Sequence, residues 1–404
     1  MKNGLDILRE RGFIEQTVFE DDLYKLLGTE SVPFYVGFDP TADSLHIGHY
    51  IPVMAMAHLQ RAGHKPIALV GGGTAMVGDP SYRTDMRQMM SRETIKNNVE
   101  AFIKQLSHFI SFEGKNAARI VNNADWLLSL NYIDFLRDIG VYFSVNKMLT
   151  AECFKTRMEK GLSFLEFNYM LMQGYDFLVL YQKYGVKLQV GGNDQWANIL
   201  AGADLIRRKE QKDAFAMTFK LLLNSDGTKM GKTAKGTLWL DKNRTPVGDF
   251  YQYFRNVEDG KVAECMRLLT FMELSEIAEL TKYRDERMNA AKEKLAYEVT
   301  CIVHGKDAAD SAQAEARAAF GGSSGDMAAV PCAAALDMSV AEVLTIVGMA
   351  ESRGEAKRLI QGGGVSIDDK KVTDIAAILK DFTTEKEFIL QKGKKVKTKY
   401  RLNT

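Results

Sequence analysis

The run Tyr35–His49, YVGFDPTADSLHIGH, constrains this chain more than any other stretch. It begins apolar and β-prone through Tyr35-Val36-Gly37-Phe38, breaks at Asp39-Pro40 and restarts at Asp43-Ser44 as a helix start. With Ser44 as the expected N-cap, His46 and His49 fall in the first helical turn, on one side of it. That turn also carries unpaired N–H groups and the positive dipole end, which suit an anion. Gly48 leaves the surface open to a flat or bulky group, so the stretch is fit to hold a nucleotide. Zinc is the weaker reading, because a metalloprotease helix places its histidines at i and i+4 around a Glu, whereas Ile47 and Gly48 intervene here. Pro52 lies in the second turn, where it removes an N–H from the ladder and predicts a local kink with the Gly48 carbonyl freed.

At 404 residues and 46% hydrophobic, the chain is long enough for two or three domains with proper cores. A net charge of +1 gives no sign of a polyanionic partner, which would have to meet a local basic patch. Cys153, Cys265, Cys301 and Cys332 form no CxxC pair, which argues against a zinc knuckle or a disulfide framework and fits a reducing cytoplasm. No apolar run approaches the roughly 18–20 residues of a membrane span.

Lys2 to Leu27 reads as one amphipathic helix packed on the core. Apolar runs at Pro66–Val70, Ala118–Val121 and Val186–Val190 alternate with helical stretches, which predicts an α/β fold with a doubly wound parallel sheet. In such a sheet the ligand site lies beyond the carboxyl ends of the strands, after Phe38, Val70, Val121 and Val190. Two phosphate motifs fail on the residues that matter. Gly73 and Gly78 have Walker spacing but are followed by Asp79-Pro80, and Gly231-Lys232-Thr233 would need a glycine where Asp226 stands, so a P-loop ATPase or kinase is disfavoured.

Gly227–Thr233 reads instead as a small mobile loop with two lysines, Lys229 and Lys232, able to bring positive charge to a phosphate late in a reaction. Gly231 is expected to loosen it further. Tyr169, Gln173 and Asp176 form one polar row on a helix whose other positions, Phe164, Phe167, Met170 and Phe177 among them, are mostly apolar. Buried, such a row needs partners, and a ligand can be one. Arg83 and Arg87, in the loop after Asp79, are candidates for a pyrophosphate.

His46-Ile47-Gly48-His49 resembles the HIGH signature of class I aminoacyl-tRNA synthetases, and Lys229-Met230-Gly231-Lys232-Thr233 resembles their KMSKS loop, with Gly231 and Thr233 replacing its serines. The wording resembles the tyrosyl-tRNA synthetases in particular, which implies a Rossmann-like catalytic domain over residues 1–223. The resemblance puts Tyr35 and Asp176 on the phenolic hydroxyl of L-tyrosine, and Asp79, Tyr169 and Gln173 on its ammonium group. It puts Asp194 on the ATP ribose, Gln195 near the reacting carboxylate, and Gly37, Asp39, Gly48, Gly192 and Thr233 in the ATP site. Thr41, His46, His49, Lys229 and Lys232 would stabilise the phosphates of ATP, which enters with Mg2+ as co-substrate, and no protein-bound metal is implied. Val36, beside Tyr35, offers the ribose no side-chain hydrogen bond.

The resemblance also implies a helical anticodon-side domain over 224–320, a linker over 321–338 and a small α+β RNA-binding domain over 339–404, with tRNA(Tyr) as partner. There, Val340, Val343, Leu344 and Val347 make a helical face, Ser352 with Glu355 a capping box, and Val365–Val372 a hairpin. Arg353, Lys357 and Arg358 on one helix, with Lys392, Lys394, Lys395, Lys397, Lys399 and Arg401, form the basic patch hidden by the net charge. A homodimer, with the apolar residues around Phe164 as interface, belongs to the same expectation. The rival readings are a sister synthetase for tryptophan and a non-catalytic RNA-binding protein.

Overall fold

The computed structural model describes residues 2–79, 81, 90–151, 154–155, 158–159, 161–233, 236–321, 329–393 and 396–402. The chain divides into two compact units, Met1–Ala309 and Asp310–Thr404. The apolar runs of the first unit become strands β2 (Pro33–Phe38), β3 (Lys65–Val70), β4 (Arg119–Asn122), β5 (Leu188–Gly192) and β6 (Phe215–Phe219). With β1 (Ile14–Thr17) they form one sheet in the order β1-β6-β5-β2-β3-β4. All pairings but one are parallel, and Phe34, Tyr35, Val36 and Phe38 of β2 are buried, as a strand covered on both faces requires. Strand order reverses between β2 and β5, so the loops after these two strands diverge at a topological switch point, where open α/β sheets bind their ligands.

The amino-terminal expectation is corrected. Lys2–Leu27 is not one helix: Gly4–Arg11 ends at Gly12 with φ of 87°, and Ile14–Thr17 then pairs antiparallel with β6 before a second helix, Glu20–Thr29. The sheet is therefore mixed, with an antiparallel edge. Gly12 supplies the left-handed residue that ends the first helix and lets the chain turn into the sheet.

Helices Val247–Arg255, Asp259–Leu269, Leu274–Leu280 and Met288–His304 complete the first unit. Arg11 donates to the carbonyls of Arg267, Thr270 and Met272, and the Tyr50 hydroxyl donates to the Leu269 carbonyl at 3.0 Å. These bonds satisfy carbonyls at a helix C-terminus and tie the bundle to the sheet layer. A short ladder, β7 (Lys232–Thr233) with β8 (Gly236–Thr237), lies between the sheet and the bundle in sequence.

In the second unit β9 (Val330–Cys332), β10 (Val365–Ile367), β11 (Lys370–Lys371), β12 (Glu387–Lys392) and β13 (Val396–Leu402) run in the order β11-β10-β12-β13-β9. Val340, Val343, Leu344, Ile360, Ile367 and Leu390 form its core. Asp368 and Asp369, both at positive φ (48° and 63°), turn the expected hairpin. Two expectations change. Val330–Cys332, inside the stretch expected to be linker, is a strand of this sheet. Ser352 caps the Glu355 N–H, but the Glu355 carboxylate accepts from Glu351 N, so the reciprocal half of the capping box is missing there and is found at Ser339 and Glu342 instead.

Candidate active site

The turn after β2 is built by imidazoles. The helix runs Ile47–Arg61, through Pro52, and its N-cap is His46 rather than Ser44. His46 Nδ1 accepts from Gly48 N at 3.0 Å, His49 Nδ1 accepts from His46 N at 3.2 Å, and the two rings stack 3.9 Å apart. An imidazole that accepts through Nδ1 carries its proton on Nε2, so this reciprocal cap fixes both tautomers. Burial, with the Lys229 charge adding to it, pushes His46 down to about 4 and leaves a neutral Nε2–H donor at neutral pH. Ser44 is occupied elsewhere: it donates to the Leu45 carbonyl and accepts from Asp241 N.

A cleft of about 330 Å³ opens at the switch point and brings together Tyr35, Gly37, Asp39, Thr41, His46, Gly48, His49, Asp79, Tyr169, Gln173, Asp176, Gly192, Asp194, Gln195 and Lys229. Helix Tyr169–Tyr184 supplies the polar row, with Tyr169 and Asp176 buried. At one end the Asp176 carboxylate accepts from Trp126 Nε1 at 2.7 Å and Asn123 Nδ2 at 2.9 Å. Burial pushes this carboxyl up to about 7, against these two hydrogen bonds, which favour the charged form. The Tyr35 hydroxyl, held well above its ordinary range by burial and by the Asp176 charge, is buried with no hydrogen-bond partner among the described residues. A donor without an acceptor therefore shares a buried end of the cleft with a carboxylate, and a ligand hydroxyl matches both.

The cleft is also lined by acceptors. Asp39 accepts from Thr74 Oγ1 and from the Tyr169 hydroxyl, each at 2.8 Å. Asp79 accepts from Gln195 Nε2 at 2.7 Å and from Ser81 N at 2.9 Å, and Gln173 Oε1 is buried without a partner among the described residues. Two carboxylates and an unpaired amide oxygen are what an ammonium group requires. Gly71 is held against Asp39 and Thr74 so closely that a Cβ would overlap both, and a Cβ on Gly192 would lie 2.6 Å from Asp194 Oδ1. The backbone thus approaches where a side chain would block.

Toward the loop, Lys229 Nζ lies 3.5 Å from Asp194 Oδ2. Burial raises the Asp194 carboxyl while Lys229 opposes that shift. Arg83, Arg87 and the side chains of Lys232 and Thr233 lie outside the described residues, as do Lys394 and Lys395. Asn123, Trp126 and Thr74 were not singled out from the sequence. Their one signal was position, since Asn123 follows β4 and Thr74 follows β3 at the strand ends that face the cleft.

In the second unit the basic tail is less free than its sequence suggests. Lys397 pairs with Asp369 at 2.8 Å, Lys399 and Arg401 pair with Glu387 at 2.8 and 2.6 Å, and Lys392 donates to the Met349 carbonyl. The fold brings acids from the neighbouring strand β12 and from the hairpin turn at Asp369 to a segment that has none of its own. Arg353 pairs with Glu342 at 2.7 Å, while Lys357 and Arg358 stand exposed on helix Arg353–Gln361. Among the described residues no helix is long and apolar enough to cross a membrane.

Residues 28–321 match the class I tRNA synthetases of the tryptophan and tyrosine group, and residues 324–402 match the C-terminal domain of tyrosine–tRNA ligases. The chain is 56% identical to a tyrosine–tRNA ligase of Clostridium kluyveri and 54% identical to one of Clostridium botulinum, each over 400 residues and 98% of both chains. A C-terminally truncated mitochondrial tyrosyl-tRNA synthetase of Aspergillus nidulans is similar in structure, with a TM-score of 0.71 and 30% identity over 78% of this chain and 94% of that one. By these matches over nearly its whole length, the chain belongs to the tyrosine–tRNA ligase family of class I tRNA synthetases.

Proposed function

We propose that the chain joins L-tyrosine to tRNA(Tyr) in two ATP-dependent steps. The tyrosine carboxylate, already ionised at neutral pH, attacks the α-phosphorus of Mg2+-ATP, pyrophosphate leaves, and tyrosyl-adenylate remains. A ribose hydroxyl at the tRNA 3′ end then attacks the acyl carbon, and AMP departs. The first step needs no general base, so the protein contributes position and charge. The observation that carries the reading is the buried Tyr35 hydroxyl without a partner, sharing the cleft with an Asp176 carboxylate held by two donors.

Tyr35 donates to, and Asp176 accepts from, the substrate phenol. Asp79, Tyr169, Gln173 and the Asp39 carboxylate behind Tyr169 surround its ammonium. Thr41, His46, His49, Lys229 and Lys232 meet the phosphates, with His46 acting as a neutral donor; Asp194 takes the ribose and Gln195 the reacting carboxylate. Residues 1–223, with the lysine loop that follows them, do the chemistry, and the carboxyl-terminal module binds tRNA through Lys357 and Arg358. The protein works as a cytoplasmic homodimer. The exposed Tyr132, Ile133, Val141, Val145 and Phe164, 56–72% accessible, support an interface in this part of the chain.

ATP–pyrophosphate exchange with each amino acid tests the proposal. Exchange with tyrosine alone is expected. Exchange with tryptophan alone would move the chain to the sister specificity, and none with any amino acid would remove the catalytic reading.

A further inference from the structure

Gly231 was expected to loosen the lysine loop, and its surroundings do the opposite. It is buried, at φ of 89°, and a Cβ there would fall on the Ile47 Cγ2 methyl and lie 3.1 Å from Ile47 Cβ. Its N–H donates to the Tyr253 hydroxyl at 2.8 Å, and its carbonyl accepts from Leu238 N at 2.8 Å. The segment Leu238–Leu240 that follows β8 is stitched to the histidine turn. Ile47 N donates to the Leu238 carbonyl at 3.1 Å, Leu240 N donates to the Leu45 carbonyl at 2.9 Å, and His46 bridges Trp239. Met230, the residue between Lys229 and Gly231, is buried with its N–H on the Leu222 carbonyl.

We infer that Gly231 and Tyr253 are positioning residues that dock the lysine loop onto the histidine turn: Gly231 is a seat with room for no side chain against Ile47, and the Tyr253 hydroxyl is the latch on its N–H. Docking at this point sets where Lys229 stands relative to His46. Neither residue lines the cleft that holds Tyr35, His46 and Lys229, and Tyr253 reaches the loop from helix Val247–Arg255. The left-handed backbone is one that Ala or Ser adopts with strain, so both the conformation and the space select glycine.

The inference rests on the ligase reading, so its test includes a readout that needs no catalysis. Trypsin cuts after Lys229 only when the Met230 backbone leaves its partners. Tyr253→Phe and Gly231→Ala should each be cut several-fold faster than the wild type while the rest of the chain stays resistant. Equal cutting would overturn the docking whatever the activity. In tyrosine-dependent pyrophosphate exchange, Tyr253→Phe should lower kcat roughly fivefold, as for one lost hydrogen bond. Gly231→Ala should lower it by about tenfold or more, each with the tyrosine KM unchanged within about twofold. Ile47→Ala distinguishes a seat from general damage: it should lower kcat in the wild type and raise it in the Gly231→Ala background, where it vacates the methyl that the new Cβ meets. A loss of the same factor in both backgrounds would overturn the inference. Absence of exchange in the wild type would count against the ligase reading and leave the proteolysis result to decide the docking.

Discussion

Replacing Trp126 by Phe removes one donor from the Asp176 carboxylate and keeps the aromatic packing. A hydrogen bond to a charged group contributes about 1.5–3 kcal/mol, which at 1.36 kcal/mol per pKa unit is about one to two units. The lost donor favoured the ionised form, so a carboxyl that already titrates at about 7 moves up to roughly 8–9. Tyrosine needs the ionised carboxylate as its acceptor. The wild-type kcat/KM for tyrosine in pyrophosphate exchange should therefore fall tenfold per pH unit below about 7. His46 titrates at about 4 and stays neutral throughout this window, so it does not contribute to that limb. At pH 7 the variant should lose about 5- to 50-fold in kcat/KM, shrinking to about fourfold or less at pH 8.5, where more of its Asp176 is ionised. Exchange rates from pH 5.5 to 8.5 at subsaturating tyrosine read both curves. An acid limb near 4 in the wild type, or the same midpoint in the variant, would refute the reasoning.

The same raised carboxyl sets the sign for stability. Stability from this group is fully present below the ordinary value of 3.8 and is lost as pH rises through about 7, by about 4 kcal/mol in the ligand-free protein. Urea unfolding should show most of that fall between pH 4 and 7 in the wild type and not in Asp176→Asn. His46→Ala should lower turnover on the order of 10²-fold, as for loss of one preorganised donor, and unchanged turnover would remove His46 from the mechanism. A chain ending at Gly321 should keep pyrophosphate exchange and lose tRNA charging, most at higher salt, and equal charging would deny the carboxyl-terminal module its role. Phe164→Glu should shift sedimentation from dimer to monomer, and an unchanged dimer would place the interface elsewhere.

What the sequence made legible was periodic or local. The apolar runs Tyr35–Phe38 and Pro66–Val70, which the structure extends to Pro33–Phe38 and Lys65–Val70, and the row Tyr169, Gln173, Asp176 follow from local pattern, because strand and helix periods are set by the backbone. What it hid depends on distance along the chain. Asn123 and Trp126 reach Asp176 from about fifty residues away, and no pattern links them before the sheet is built. β1 is mostly polar and short, so a helical reading absorbed it; only its pairing with β6 makes it a strand. The cap moved from Ser44 to His46 because an imidazole Nδ1 accepts as a hydroxyl does, which propensity for Ser conceals. The tail's lysines looked unopposed because their acids lie on another strand and in a hairpin turn, and Gly231 looked loose because the residue that fills its space, Ile47, belongs to the other motif.

The most direct test is to charge purified tRNA(Tyr) with the protein, ATP and Mg2+ in an equimolar mixture of tyrosine, phenylalanine and tryptophan, and to identify the acyl group on the tRNA by mass spectrometry. The account predicts tyrosine alone, with phenylalanine excluded because it would leave Tyr35 and Asp176 buried without their partner. Tryptophan on the tRNA, or phenylalanine at a level comparable to tyrosine, would contradict it.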